Sequence, residues 1–234
     1  MADALLAVHE LDAFYGDFQA LFGVSLKVGP GEVVAVIGSN GAGKTTLMRS
    51  ITGLLANASE MISYRGQSIG AMRADRIANL GIAMVPEGRQ LFPSLSVEEN
   101  LVIGGQTGRP GRWSLEAVFN LFPILKERRD MPSTALSGGQ QQMVAIGRAL
   151  MANPDVLLFD EISLGLAPIV IKQIYQALPQ VIAEGMSAII VEQDISQAMA
   201  VSDRVYCLQE GRVALEGASG EVSREQIAQA YFGI

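Results

Sequence analysis

The chain has 234 residues, 49% of them apolar and 18% charged, with 17 Lys and Arg against 24 Asp and Glu for a net charge of -7. That composition excludes a disordered chain. The acidic balance excludes a broad footprint on nucleic acid or on an anionic membrane surface, so any phosphate binding must be local.

In length the chain fits one compact unit with room for a built-in subdomain. No run approaches the ~18 to 20 apolar residues that span a bilayer, and Asp3 and Glu10 stand where a basic-then-apolar leader would lie. A cytosolic protein is expected, and any membrane role needs a partner that crosses the bilayer. The single cysteine, Cys207, sits in an apolar run and cannot form an intrachain disulfide, which fits a packing residue better than a nucleophile.

Taken in chain order, residues 5–37 alternate apolar and polar positions, turn at Gly29-Pro30-Gly31 and continue into an apolar run from Val33 to Ile37. That run, with Ile82 to Val85, Val156 to Phe159 and Ala188 to Val191, has the pattern of strands covered on both faces in a parallel sheet. Helical spacing follows the first run at Leu47, Ile51 and Leu54, and precedes the third at Met143, Ile146 and Leu150. Strand and helix alternate, so the fold class is α/β. Residues 94–134 break the rhythm. They hold Ser96 and Glu99 at capping-box spacing, a Gly108-Arg109-Pro110-Gly111 loop and a helical stretch through Val118, Phe119 and Phe122 ending at Pro123. An inserted helical subdomain is expected there.

Three motifs carry chemistry. Gly38-Ser39-Asn40-Gly41-Ala42-Gly43-Lys44-Thr45, followed by Thr46, lies between a buried strand and a helix, the setting a phosphate-binding P-loop requires. Backbone N–H groups and the helix N-terminus would cradle phosphates, Lys44 would add a point charge, and the Thr45 hydroxyl could ligate Mg²⁺. The second motif is an apolar strand ending in Asp160-Glu161, two carboxylates that need partners at a buried strand end. Asp160 could hold Mg²⁺ through its water shell, and Glu161 could accept a proton from water attacking a γ-phosphate. Third, Leu136-Ser137-Gly138-Gly139-Gln140-Gln141-Gln142 leads into a helix and forms a second phosphate cradle. One nucleotide does not need two cradles, so the second is expected to face ATP held by another subunit, in a head-to-tail pair.

The order and spacing of these motifs resemble the ATP-binding cassette family over nearly the whole chain. The resemblance implies a P-loop NTPase, RecA-like core of mainly parallel sheet with an N-terminal antiparallel β subdomain and an inserted helical subdomain. Residues 1–86 and 146–234 would form the nucleotide-binding core and β subdomain, and 87–145 the helical subdomain carrying the signature. The cofactors implied are ATP and Mg²⁺. Tyr15 would stack on adenine, Val85-Pro86-Glu87 would link nucleotide to transporter, and Ser163 to Pro168 would touch the opposite subunit. Because Phe14, Phe18 and Phe22 lie close by in the chain, an aromatic core is the alternative for Tyr15.

Within the family, Val85-Pro86-Glu87-Gly88-Arg89, Ser96-Val97-Glu98-Glu99-Asn100-Leu101, Ser163 to Pro168 and Val191-Glu192-Gln193-Asp194 are similar to the LivF-type ATPase of branched-chain amino-acid importers. Importers of urea and short amides are similar over the same segments. Three positions depart from the general pattern. Glu87 replaces a usual glutamine, as in the LivF type, and could approach Mg²⁺ or pair with Arg89. Gln193 stands at the switch histidine, able to donate a hydrogen bond but not to shuttle a proton. Ile162 replaces a proline after the two carboxylates, which would loosen the turn that aims Glu161. The lone histidine, His9, lies far from these motifs and fits a surface or sheet residue.

The function expected is an ATPase in which two cassettes, identical or related, close on two ATP molecules and move integral membrane permease subunits, served indirectly by a solute-binding protein. The chain would then sit on the cytoplasmic face of the membrane through those permeases. The alternative is an ATP-dependent dimerisation switch with little hydrolysis, suggested by Gln193 and Ile162. A cassette acting on DNA or ribosomes lacks the expected basic arm or coiled insertion, and Lys44-Thr45 excludes a dinucleotide fingerprint. Leu91, Phe92 and Leu95 are candidates for permease contact, with burial in the helical subdomain as the alternative.

Overall fold

The computed structural model describes residues 4–182 and 185–232. In chain order the elements are β1 (Leu6–Tyr15), β2 (Phe18–Val28), β3 (Val33–Ile37), α1 (Lys44–Ile51), β4 (Ile62–Tyr64), β5 (Gln67–Ser68), α2 (Ala74–Leu80) and β6 (Ile82–Val85). There follow α3 (Val97–Gly104), α4 (Leu115–Leu121), α5 (Pro123–Glu127), α6 (Gly138–Leu150), β7 (Val156–Asp160) and α7 (Pro168–Ile182). The chain closes with β8 (Ser187–Glu192), α8 (Ile195–Val201), β9 (Arg204–Gln209), β10 (Arg212–Ala218) and α9 (Arg224–Phe232). Two compact units result: Met1–Ile77 with Ser187–Ile234, and Ala78–Met186.

In the first unit an antiparallel sheet of order β2-β1-β4-β5 forms the expected N-terminal β subdomain. Beside it, β3 pairs in parallel with both β8 and β9, and β10 closes on β9 antiparallel. Every residue of β3 and of β8 is buried, which is why their sequences run apolar without alternation. Register then decides what meets what: Ile37 at the end of β3 faces Glu192 on one side and Cys207 on the other. Cys207 is 0% exposed, and burial pushes its thiol up to about 11, as a packing residue would be.

The second unit joins β6 and β7 in parallel, with Val85 opposite Phe159, so both strands release their loops from one edge. The helical insert is present as α3, α4 and α5. The capping box on α3 is complete: Ser96 accepts from the Glu99 N–H, and Glu99 accepts from the Ser96 N–H at 2.8 Å. α4 ends at Leu121, ahead of Pro123 as expected, and Pro123 also opens α5 at the first helical position, where its missing N–H costs nothing. One expectation at a helix end is corrected. Leu54 is not on α1, because Gly53 at φ 70 ends the helix and leaves Leu54 64% exposed.

Candidate functional site

In the first unit, β3 delivers the chain to Gly38, whose φ of 155 leaves no room for a side chain: a Cβ there would strike the Leu208 carbonyl. Gly43, at φ 102, is the residue before α1 and offers no side-chain cap, so the start of an eight-residue helix faces an anion without a capping side chain in the way. Lys44 is only 4% exposed, and its Nζ donates to the Gly38 carbonyl at 2.8 Å and the Ser39 carbonyl at 3.1 Å. The loop thus curls around its own ammonium. Thr45 is half-buried and Thr46 buried beside it. Together the uncapped N–H groups and the charge fit a polyphosphate.

Register brings one more group to this loop. Since Glu192 faces Ile37, Gln193 leaves the sheet next to the P-loop, and its Nε2 donates to Asn40 Oδ1 at 3.1 Å. His9 lies elsewhere, exposed on β1 and 3.3 Å from Ser63 Oγ. Tyr15 ends β1 opposite Phe18, with Phe14, Tyr15 and Phe18 exposed by 47%, 41% and 70%. The aromatic-core alternative for Tyr15 is therefore overturned, since flat apolar rings at that exposure pack no core.

In the second unit, Asp160 ends β7 and is 1% exposed. Glu161 follows in the left-handed region at φ 49, a conformation that costs a non-glycine residue ~1 to 3 kcal/mol and clusters at functional sites. Ile162 is 1% exposed, and the Leu164 N–H donates to the Glu161 carbonyl at 3.2 Å. Ile162, which stands in place of the proline, is packed into the core at this turn. Beyond it Gly165 turns at φ 70, and Leu164 and Ile169 stand exposed by 47% and 64%.

The loop released by β6 carries Glu87, which is exposed. Its proposed pairing with Arg89 does not form; Arg89 Nη1 donates to Gln141 Oε1 at 3.1 Å instead. Phe92 is 45% exposed, while Leu91 and Leu95 are half-buried. The third motif opens α6 with a second complete capping box. Ser137 Oγ accepts from the Gln140 N–H at 3.4 Å, and the Ser137 N–H donates to Gln140 Oε1 at 3.1 Å. Gly139 has no space for a side chain, because Val170 fills the place of its Cβ.

A family model described as ABC transporter matches residues 21–163, the stretch that holds all three motifs. Over 98% of this chain and its own full length, BraG of Pseudomonas aeruginosa, a high-affinity branched-chain amino acid transport ATP-binding protein, is 42% identical. The chain belongs to the ABC transporter family. A probable branched-chain amino acid transport ATP-binding protein LivF of Archaeoglobus fulgidus is 32% identical over 98% of this cassette and 99% of its own length. Among solved structures, MJ1267, an ATP-binding cassette of an ABC transporter, superposes with a TM-score of 0.84 at 28% identity, covering 97% of this chain and 98% of the other. The dimeric post-hydrolysis state of the cassette MJ0796 bound to ADP and Pi gives 0.81 at 25% identity, covering 92% and 98%. The fold is that of the ABC ATPases, and the family's general activity, binding and hydrolysis of ATP, is this cassette's activity.

Sequence reasoning passed over several residues that build the second unit's site. Asn100 is 0% exposed on α3. Its Nδ2 donates to the carbonyls of Phe92, Leu95 and Ser96, and its Oδ1 accepts from the Phe92 N–H. Arg148 on α6 donates to two carbonyls of the same loop, and burial lowers its pKa. The signal was available in part: an asparagine on the inner face of a capped helix, and an arginine inside the Met143, Ile146, Leu150 period, both ask for buried partners.

Proposed function

We propose that the chain is the ATP-binding and hydrolysing subunit that powers an ABC importer for branched-chain or related amino acids. The observation that carries this is the uncapped N-terminus of α1 wrapped around a buried Lys44, in a chain 42% identical to BraG over its whole length. In this reading the N–H groups from Gly38 to Thr46 and the Lys44 ammonium hold the β- and γ-phosphates, and Tyr15 stacks on adenine. From the strand ends of the second unit, Glu161 accepts a proton from the attacking water and Glu87 orients groups around the γ-phosphate; from the first unit, Gln193 does so by hydrogen bonding.

Among the described residues no group of three or more His, Cys, Asp or Glu could hold a metal alone, which suits Mg²⁺, an ion that keeps waters and takes few protein ligands beside phosphate oxygens. Thr45, Asp160 and Glu87 are the residues assigned to it, and when bound it offsets charge on the transferred phosphoryl group. Ser137, Gly138, Gly139 and Gln140 are assigned to the nucleotide of a second cassette, and Ser163 to Pro168 to that cassette's surface. Residues 1–86 and 146–234 then act as the nucleotide-binding core, and 87–145 as the helical arm toward the membrane subunits.

No helix among the described residues is long and apolar enough to cross a membrane, so permease subunits supply the span and hold the chain at the cytoplasmic face. The test is ATP turnover and dimerisation with Mg²⁺ for the native chain, Lys44→Ala and Glu161→Gln. Turnover in the native chain, none in Lys44→Ala and a trapped ATP dimer in Glu161→Gln is the expected result. Native turnover no higher than that of Glu161→Gln would replace the motor with an ATP-dependent switch.

A further inference from the structure

The loop that follows Glu87 is wound in an unusual way. Gly88, Arg89 and Gln90 are successive left-handed residues, at φ 71, 65 and 44. Two of the three carry side chains, and such a run persists only where its surroundings hold it. What holds it is α6. Arg148, in the last turn of that helix, donates from Nη1 to the Gln90 carbonyl at 2.8 Å and from Nη2 to the Arg89 carbonyl at 3.1 Å. The same guanidinium lies 5.7 Å from the centre of the Phe92 ring, the exposed apolar group of the loop.

The loop also reaches the other end of α6. Arg89 Nη1 donates to Gln141 Oε1 at 3.1 Å, and Gln141 Nε2 donates to the carbonyls of Ser133 at 3.2 Å and Leu136 at 3.3 Å. Leu136 is the residue before the capping Ser137. A side-chain carbon at Gly138 would come within 3.2 Å of Arg89 Nη2, so the guanidinium is packed against the signature itself. One arginine therefore ties the loop to the end of the helix, and another ties it to the start.

We propose that Arg148 and the Arg89–Gln141 pair are positioning residues for ATP hydrolysis, locking the loop after Glu87 to both ends of α6 so that the placement of Ser137 and its flanking N–H groups is set from that loop. A planar, bidentate group suits this task, because two parallel bonds fix an angle as well as a distance. None of the three side chains needs to touch nucleotide. The inference rests on the reading that Ser137 to Gln140 serves the nucleotide of a second cassette.

The test uses the full chain with Mg²⁺-ATP and compares Arg148→Lys, Arg89→Met, Gln141→Leu, the double variant Arg89→Met/Gln141→Leu and Ser137→Ala. Three readouts separate positioning from folding: nucleotide affinity of the dilute chain, kcat and the concentration at which ATP drives dimerisation. We expect kcat to fall about ten-fold in Arg89→Met and in Gln141→Leu, with nucleotide affinity of the dilute chain changed less than about two-fold. The double variant should be no worse than either single one, the mark of a coupled pair. Arg148→Lys, which keeps the charge and loses the fork, should lower kcat in the same way. Equal kcat in native chain, Arg89→Met and Gln141→Leu, with Ser137→Ala impaired, overturns the inference alone. Unimpaired Ser137→Ala removes the reading beneath it as well.

Discussion

Two helix starts in this molecule are built on the same principle and finished differently. At α1 the residue before the helix is Gly43, with no side chain to cap the first turn, and the charge nearby is the buried Lys44. At α6 the capping residue is Ser137, and the helix answers its own need through a reciprocal pair with Gln140. A start without a cap spends no side chain of its own on its first donors. A start with a capping box already satisfies two of its donors, so a ligand there has fewer left to meet. Under the proposed function the first holds phosphate in the single chain, and the second meets the phosphate of a partner cassette.

The sharpest way to break that contrast is Lys44→Ala. Removing a buried cation that donates to two loop carbonyls should lower ATP affinity of the single chain about 100-fold or more, read by titration calorimetry; affinity within a few fold of native would deny the first start its role. Ser137→Ala should leave that affinity unchanged while lowering thermal stability by about 1 kcal/mol, the usual cost of losing a cap, and weakening ATP-driven dimerisation. A drop in single-chain affinity there would mean the two starts are not separate. Next in size is Gln193→Ala, which removes the bond to Asn40. Loss of one neutral hydrogen bond at an exposed position should raise the Kd for ATP by about two- to five-fold.

A further test lies behind the first start. Burial holds the Cys207 thiol up near 11 against an ordinary value of 9.0, so the folded chain keeps a proton the unfolded chain has released. The stability tied to it is fully present below about pH 9 and is lost as pH rises toward 11. Melting curves at pH 8 and pH 10.5 should show a smaller alkaline loss in Cys207→Ala than in the native chain, whatever the offset from lost packing.

Much of this was legible from the sequence. The runs at Val33, Val156 and Ala188 are apolar without alternation because both faces are covered, and their loops carry the motifs by the ordinary logic of parallel sheets. Helix starts were legible too, since Ser96 and Glu99 sit at the spacing a capping box demands. Leu54 misled because helical period alone does not see the glycine at 53 that halts α1. The contacts of Arg89, Asn100 and Arg148 lay outside that reach. They cross turns whose path depends on the packed insert, Asn100 and Arg148 meeting backbone carbonyls and Arg89 the side chain of Gln141, and no local spacing encodes those partners. Nor did spacing disclose the left-handed Glu161, a feature of the turn and not of the residue type.

The burial of Cys207 has a practical consequence. The chain has one cysteine in 234 residues, it is 0% exposed, and its thiol stays protonated at neutral pH. A maleimide dye or spin label added to the native protein should therefore find almost nothing to react with. A cysteine introduced at exposed Leu164 or Ile169 would be the one accessible thiol, ready to report by crosslinking or electron-spin distance whether two chains meet head to tail.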